Sequence, residues 1–153
     1  MPCLKDGDTK VVESMEIAKY LEAKCPDPKL SDKHMDLVNP IFPAFAKFMK
    51  NADYCPDREK AFLQALKTLD SHLDGGAFVG GSGNVSLADY SLAPKLQHIQ
   101  VTVAEFTPET KEKLVQACPN LSGYMERIGE DNAFTSAKPK DDLIIWGWGQ
   151  ARK

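Results

Sequence analysis

The apolar positions divide the chain into two unequal parts. Beyond about residue 33 they fall into one helical stripe after another. Arg58 to Leu73 carries Phe62, Leu66, Leu69 and Leu73 on one face, and Gly75-Gly76 stops it. Leu87 to about Ala104 repeats the pattern with Ala88, Leu92, Leu96, Ile99 and Val103, and Pro94 predicts an internal kink. Lys33 to Asn51 is apolar on one side through Leu37, Ile41, Phe45, Phe48 and Met49, and Pro40 and Pro43 should kink or split it. Pro108 to Cys118 reads as a shorter helix with its proline near the first turn. Leu121, Tyr124, Met125 and Ile128 mark another, and an apolar end, Leu143 to Trp148, follows Lys138-Pro139-Lys140.

The first part reads differently. Met1 to Lys5 and Thr9 to Val12 suit short strands joined by Asp6-Gly7-Asp8, a strong hairpin signal. Glu13 and Ser14 stand at a helix start, and Ile17, Tyr20 and Leu21 share one face of that helix. Lys24-Cys25-Pro26 ends it, because a residue before proline avoids the α region. Pro26 to Ser31 reads as a linker. The expected architecture is therefore mostly α: a hairpin and one helix over residues 1–24, then a helical body over 32–153. Two strands alone bury little and need packing partners.

Composition narrows the class. The chain has 153 residues, 42% hydrophobic and 27% charged, which is globular and enough to bury a core. A net charge of -3 argues against nucleic acid or an anionic membrane as partner, and no apolar run is long enough to span a bilayer. The start is polar within five residues, so no signal peptide is visible. Cys3, Cys25, Cys55 and Cys118 are scattered and read as free thiols in a reducing compartment. His34, His72 and His98 lack metal-ligand spacing, so no metal site is expected.

The most specific stretch is Phe78-Val79-Gly80-Gly81 leading to Ser86-Leu87-Ala88-Asp89. Ser86 is an N-cap candidate and Asp89 sits where a capping-box acid belongs, although its side chain is shorter than the usual Glu. Val85 and Tyr90 occupy the staple positions around the cap. Both Ser86 and Asp89 read as structural. The wording of this stretch resembles the capping box and core helix of the glutathione transferase superfamily. Its continuation, Ser91-Leu92-Ala93-Pro94-Lys95-Leu96-Gln97-His98, is similar to the dehydroascorbate reductase branch, with the chloride-intracellular-channel-like branch close behind. Met1-Pro2, Glu13-Ser14 and the Leu143 to Trp148 segment extend the resemblance over nearly the whole chain.

That resemblance implies a fold and a reaction. Residues 1–24 would be the end of a thioredoxin-like, glutathione-binding domain whose earlier half is not in this chain, and residues 32–153 its helical partner domain. Glutathione is the implied co-substrate, and the implied reaction reduces dehydroascorbate to ascorbate. Pro2 matches the family's cis-proline, the backbone of Met1 would pair with the cysteinyl part of glutathione, and Glu13 and Ser14 match the pair that grips the γ-glutamyl group. Taken alone, Glu13-Ser14 before a helix is a cap and a first-turn acid, and Pro2 is simply a second residue. The family's nucleophilic cysteine matches nothing here and would lie upstream of Met1. Cys3 is a weak candidate, placed in a strand rather than at a helix start. Lys95 is expected to snorkel, His98 to be hydrogen-bonded, and Trp146 and Trp148 to pack the tail onto the body, with a place in the substrate cleft as the lesser reading. The resemblance also implies a monomer in the cytoplasm, or in a plastid where a transit peptide precedes it. A swapped or patch-mediated dimer is the alternative assembly. The rival readings are a non-catalytic interaction domain and a channel-like protein.

Overall fold

The computed structural model describes residues 2–27, 29–76, 78–81 and 83–152. Met1, on which one expected glutathione contact falls, and Pro28, within the expected linker, lie outside these.

Strands β1 (Cys3–Asp6) and β2 (Thr9–Val12) form an antiparallel hairpin with Cys3 opposite Val12 and Asp6 opposite Thr9. Gly7, at φ 59°, takes the left-handed turn position that a side chain resists. Helix α1 (Ser14–Lys24) packs on the hairpin. The Tyr20 hydroxyl donates to the Asp6 carboxylate at 2.8 Å, and Lys24 pairs with the same carboxylate. No described residue of this hairpin and helix is buried. Leu21, expected on the packing face with Ile17 and Tyr20, is 45% exposed, because the α1 face it shares meets only a two-stranded surface.

Two hydrogen bonds carry the chain into the body. Glu22 of α1 accepts the Leu30 N–H at 2.9 Å, and the Ser31 carbonyl accepts the Leu87 N–H at 2.9 Å.

The body is helical throughout. The predicted Lys33–Asn51 stretch splits as its prolines require into α2 (Met35–Val38) and α3 (Ile41–Met49). Pro40 takes the N-cap of α3, and Pro43 falls in its first turn, where a missing N–H leaves no helical bond unmade. Helix α4 (Pro56–His72) lays Phe62 between Phe45 and Phe48, with ring centroids 5.6 and 5.5 Å away. A 3₁₀ turn (Asp74–Gly76) with Gly75 at φ 76° ends α4 where the glycine pair predicts. The core helix α5 (Leu87–Phe106) runs through Pro94, and its five predicted stripe residues are at most 2% exposed. Helices α6 (Pro108–Ala117), α7 (Pro119–Ile128), α8 (Asn132–Ala137) and α9 (Asp141–Ala151) close the body.

Two buried carboxylates staple helices together. Asp70 of α4 accepts the Leu121 N–H at 2.9 Å and so caps α7 from another helix. Glu59 accepts from Thr110 at 2.7 Å, Lys113 at 2.8 Å and Tyr54 at 2.8 Å, tying α4 to α6. Burial pushes the Glu59 carboxyl up, but those donors outweigh it and hold the group below its usual 4.5.

Candidate functional site

Of the residues expected to meet glutathione, Pro2, Glu13 and Ser14 converge at the entry to α1. The Pro2 carbonyl accepts the Glu13 N–H at 3.2 Å, which extends the hairpin ladder by one pair. The Glu13 carbonyl accepts the Ile17 N–H at 2.9 Å and starts the helix. Held from both sides, Glu13 adopts φ 74°, ψ 133°. A residue other than glycine occupies that region at a cost on the order of 1–3 kcal/mol, and such strain collects at ligand clamps. The Glu13 side chain makes no capping hydrogen bond and is exposed, as is Ser14, the first residue of the helix. Beside them lie the first-turn N–H groups, which no helical carbonyl satisfies. The entry to α1 thus gathers a free carboxylate, a hydroxyl and amide donors on one exposed rim. The Met1–Pro2 bond lies outside the described residues.

Cys3 stands opposite Val12 in β1, exposed, with its Sγ 3.9 Å from the Leu4 carbonyl oxygen. A strand offers it no helix dipole to stabilise a thiolate. Cys118 is buried and burial pushes its thiol up to about 11, so it is unreactive near neutrality.

Ser86 and Asp89 form the capping box that their spacing predicts, and the short Asp side chain does reach. Asp89 Oδ2 accepts the Ser86 N–H at 2.8 Å and the Ser86 hydroxyl at 2.5 Å, while Ser86 Oγ accepts the Asp89 N–H at 3.3 Å. The other carboxylate oxygen accepts the Val79 N–H at 2.8 Å and the Tyr124 hydroxyl at 3.0 Å. Burial, with Asp89 nearby, pushes the Tyr124 phenol well above its usual range, so it stays a donor. Gly80 is required here: a Cβ at this position would stand 2.8 Å from the Ser86 Cβ. The cluster is fully enclosed, with Asp89 at 0% exposure, and so has no access to a substrate.

The remaining singled-out residues separate. His98 Nδ1 accepts the Trp148 indole N–H at 3.0 Å, which fixes its tautomer, and burial holds its pKa below the usual 6.5. Lys95 Nζ donates to Ser91 Oγ at 2.8 Å, and burial lowers its pKa. Trp148 packs into the core, its ring 4.8 Å from that of Phe45. Trp146 corrects the expectation: it is 68% exposed, because two residues along a helix face nearly opposite sides. One pairing escaped the sequence entirely. The rings of His34 and His72, distant in the chain, lie 4.4 Å apart. Among the described residues, no three His, Cys, Asp or Glu side chains are grouped to hold a metal, and no helix is long and apolar enough to cross a membrane.

Comparisons with known proteins bear on the fold and the family. The family described as "Glutathione S-transferase, C-terminal domain" matches residues 52–127. Among solved structures, a rice GST1 in complex with glutathione superposes with a TM-score of 0.78 at 18% identity, over 98% of this chain and 73% of that one. A trimeric Leishmania glutathione transferase gives 0.80 at 16% identity, over 99% of this chain and 37% of that one. These show a glutathione-transferase fold. By sequence, the chain is 34% identical over 152 residues to a probable glutathione S-transferase DHAR1, cytosolic, of Oryza sativa subsp. japonica, covering 97% of this chain and 70% of that protein. It is 29% identical to the chloroplastic glutathione S-transferase DHAR3 of Arabidopsis thaliana, covering 97% of this chain and 57% of that protein. The chain therefore belongs to the glutathione S-transferase family, alongside its DHAR-named members.

Proposed function

We propose that this chain serves the glutathione-dependent reduction of dehydroascorbate, in which two glutathione molecules and dehydroascorbate give glutathione disulfide and ascorbate. Residues 1–24, read as the end of a thioredoxin-like domain, supply one wall of the glutathione site, and residues 32–153 are the helical domain beside it. The observation that carries the reading is Glu13, pinned at positive φ beside Ser14 at the entry to α1. Its carboxylate suits the γ-glutamyl ammonium. The Ser14 hydroxyl and the first-turn amides suit the γ-glutamyl carboxylate. The resemblance gives the cysteinyl pairing to the backbone of Met1 and the cis-proline role to Pro2. The DHAR-named relatives support the substrate.

The thiolate step is assigned to a cysteine outside residues 1–153, because Cys3 lies in a strand. The cytosol is the proposed compartment, or a plastid, as the compartments in the relatives' names allow, and a monomer the proposed state. The exposed Val12 (46%) and Leu21 (45%), on a region where no described residue is buried, favour a second reading, a non-catalytic interaction domain.

The test is calorimetry with glutathione together with the appearance of ascorbate absorbance, on the 153-residue protein and its Glu13→Ala and Cys3→Ser variants. Weak glutathione binding that Glu13→Ala abolishes is expected, without turnover. Turnover lost in Cys3→Ser would instead name Cys3 as the nucleophile. Absence of any glutathione binding would overturn the site and move the weight to the interaction domain.

A further inference from the structure

A sizeable cavity lies away from the entry to α1. It occupies about 610 Å³ between α5, α6 and α7, over an apolar floor that includes Val101, Leu114, Cys118 and Leu121. A second cavity of about 370 Å³, lined by Gln97, Glu126, Phe134 and Lys138, shares Gln100, Val101, Ser122 and Asp141 with the first. The two adjoin along α5 as one trough, apolar at the α6 end and polar at the start of α9. Volumes of this order suit a small organic ligand.

One atom in the polar end is out of balance. Gln97 is 7% exposed, and its Nε2 donates to the Pro139 carbonyl at 2.9 Å and to Asp141 Oδ1 at 3.1 Å. Two acceptors on that side fix the amide orientation. The other amide atom, Oε1, is buried and has no hydrogen-bond partner. Buried carbonyls without a donor are rare in folded proteins and unfavourable by about 1–3 kcal/mol. The charged side chains at this end are Asp141, Glu126 and Lys138, a net negative set.

We propose that the trough binds a small amphipathic amine. Its apolar body lies over Val101, Leu114 and Leu121, and its ammonium head donates to the Gln97 carbonyl beside the Asp141 and Glu126 carboxylates. At the polar end an acid of the same shape meets an acceptor and two carboxylates against the single Lys138 ammonium, and the trough's other lysine, Lys111, lines the apolar end. The site is independent of the glutathione reading, since none of its residues belongs to residues 1–24.

The probes are 4-phenylbutylamine and 4-phenylbutyrate, titrated calorimetrically into the 153-residue protein. The amine should bind saturably at one site, at least about tenfold more tightly than the acid. Ser122→Phe, an exposed position shared by both cavities, should fill the junction and abolish the heat. Gln97→Met keeps the side-chain length and removes the amide, so it should weaken the preference for the amine, which the Asp141 and Glu126 carboxylates then carry alone, while the apolar body still binds. Each of the following results would overturn the proposal. One is no saturable heat at millimolar amine. Another is equal affinity for amine and acid. The last is unchanged binding in Ser122→Phe or an unchanged preference in Gln97→Met.

Discussion

The hairpin with α1 and the helical body solve opposite problems. The body buries five stripe residues of α5 to 2% exposure or less, and encloses three carboxylates, Asp89, Glu59 and Asp70, each satisfied by donors from other elements. The hairpin and α1 bury no described residue, and polar contacts to Asp6 hold them together. Yet the candidate ligand groups, Pro2, Glu13 and Ser14, belong to the open part. The backbone strain at Glu13 sits there too, far from the enclosed core. A ligand rim must stay solvated, and a cap that organises a core must not.

The sharpest test of that division is Asp89→Ala. It strips the acceptor from the Val79 N–H, the Ser86 N–H and the Tyr124 hydroxyl at once. Losing the acid's half of the capping box and stranding several buried donors together predict a loss of about 3–5 kcal/mol in chemical denaturation. The signal should come from the body as a unit. A loss below about 1 kcal/mol, the scale of an exposed cap alone, would mean that the enclosed cluster is not what organises α5.

How much of this was legible in the sequence follows the distance over which each contact acts. The α5 stripe and the Ser86–Asp89 box are local, so spacing reveals them. The donors from Val79 and Tyr124 come from 10 and 35 residues away, and nothing in the local pattern announces them. The cap that Asp70 places on α7 spans 51 residues and is equally silent. In the tail, Pro139, Gly147 and Gly149 obscure the helical period, so α8 and the full length of α9 emerge only from packing. At the entry to α1, resemblance singles out Glu13 and Ser14, but the positive φ of Glu13 belongs to the three-dimensional hairpin and no residue type predicts it.

That strain gives a second, smaller test, aimed at the open region. Glycine occupies φ 74° without the penalty a side chain meets. Glu13→Gly should therefore leave stability unchanged or raise it by up to about 1 kcal/mol, read as the hydrogen exchange of β2 and α1 amides. The same variant should lose glutathione binding in calorimetry. A fall in local stability would show that the Glu13 side chain, not the backbone turn, supports the helix entry.

The smallest expected effect separates the two regions by pH. His98 and Asp6 both have lowered pKa values, for opposite reasons. His98 is a base that burial keeps neutral, whereas Asp6 is an acid that Lys24, then Tyr20, keeps charged. For His98, the unfolded chain takes up a proton before the folded one does. Its contribution is complete above the usual 6.5 and is lost as pH falls from there toward its lower folded value. Protonation at Nδ1 also removes the acceptor of the Trp148 indole N–H. For Asp6, the unfolded chain protonates first as pH falls through the usual 3.8, so the hairpin contact persists to below that pH. Lowering the pH from 7 to 5 should thus loosen α9 against the body, seen in tryptophan fluorescence, while β1 and β2 amide protection holds. His98→Gln keeps a side-chain acceptor but cannot titrate, and should flatten the fluorescence change. If the hairpin loosened first, or the glutamine variant responded like the wild type, the body and the hairpin would not be held by the separate groups named here.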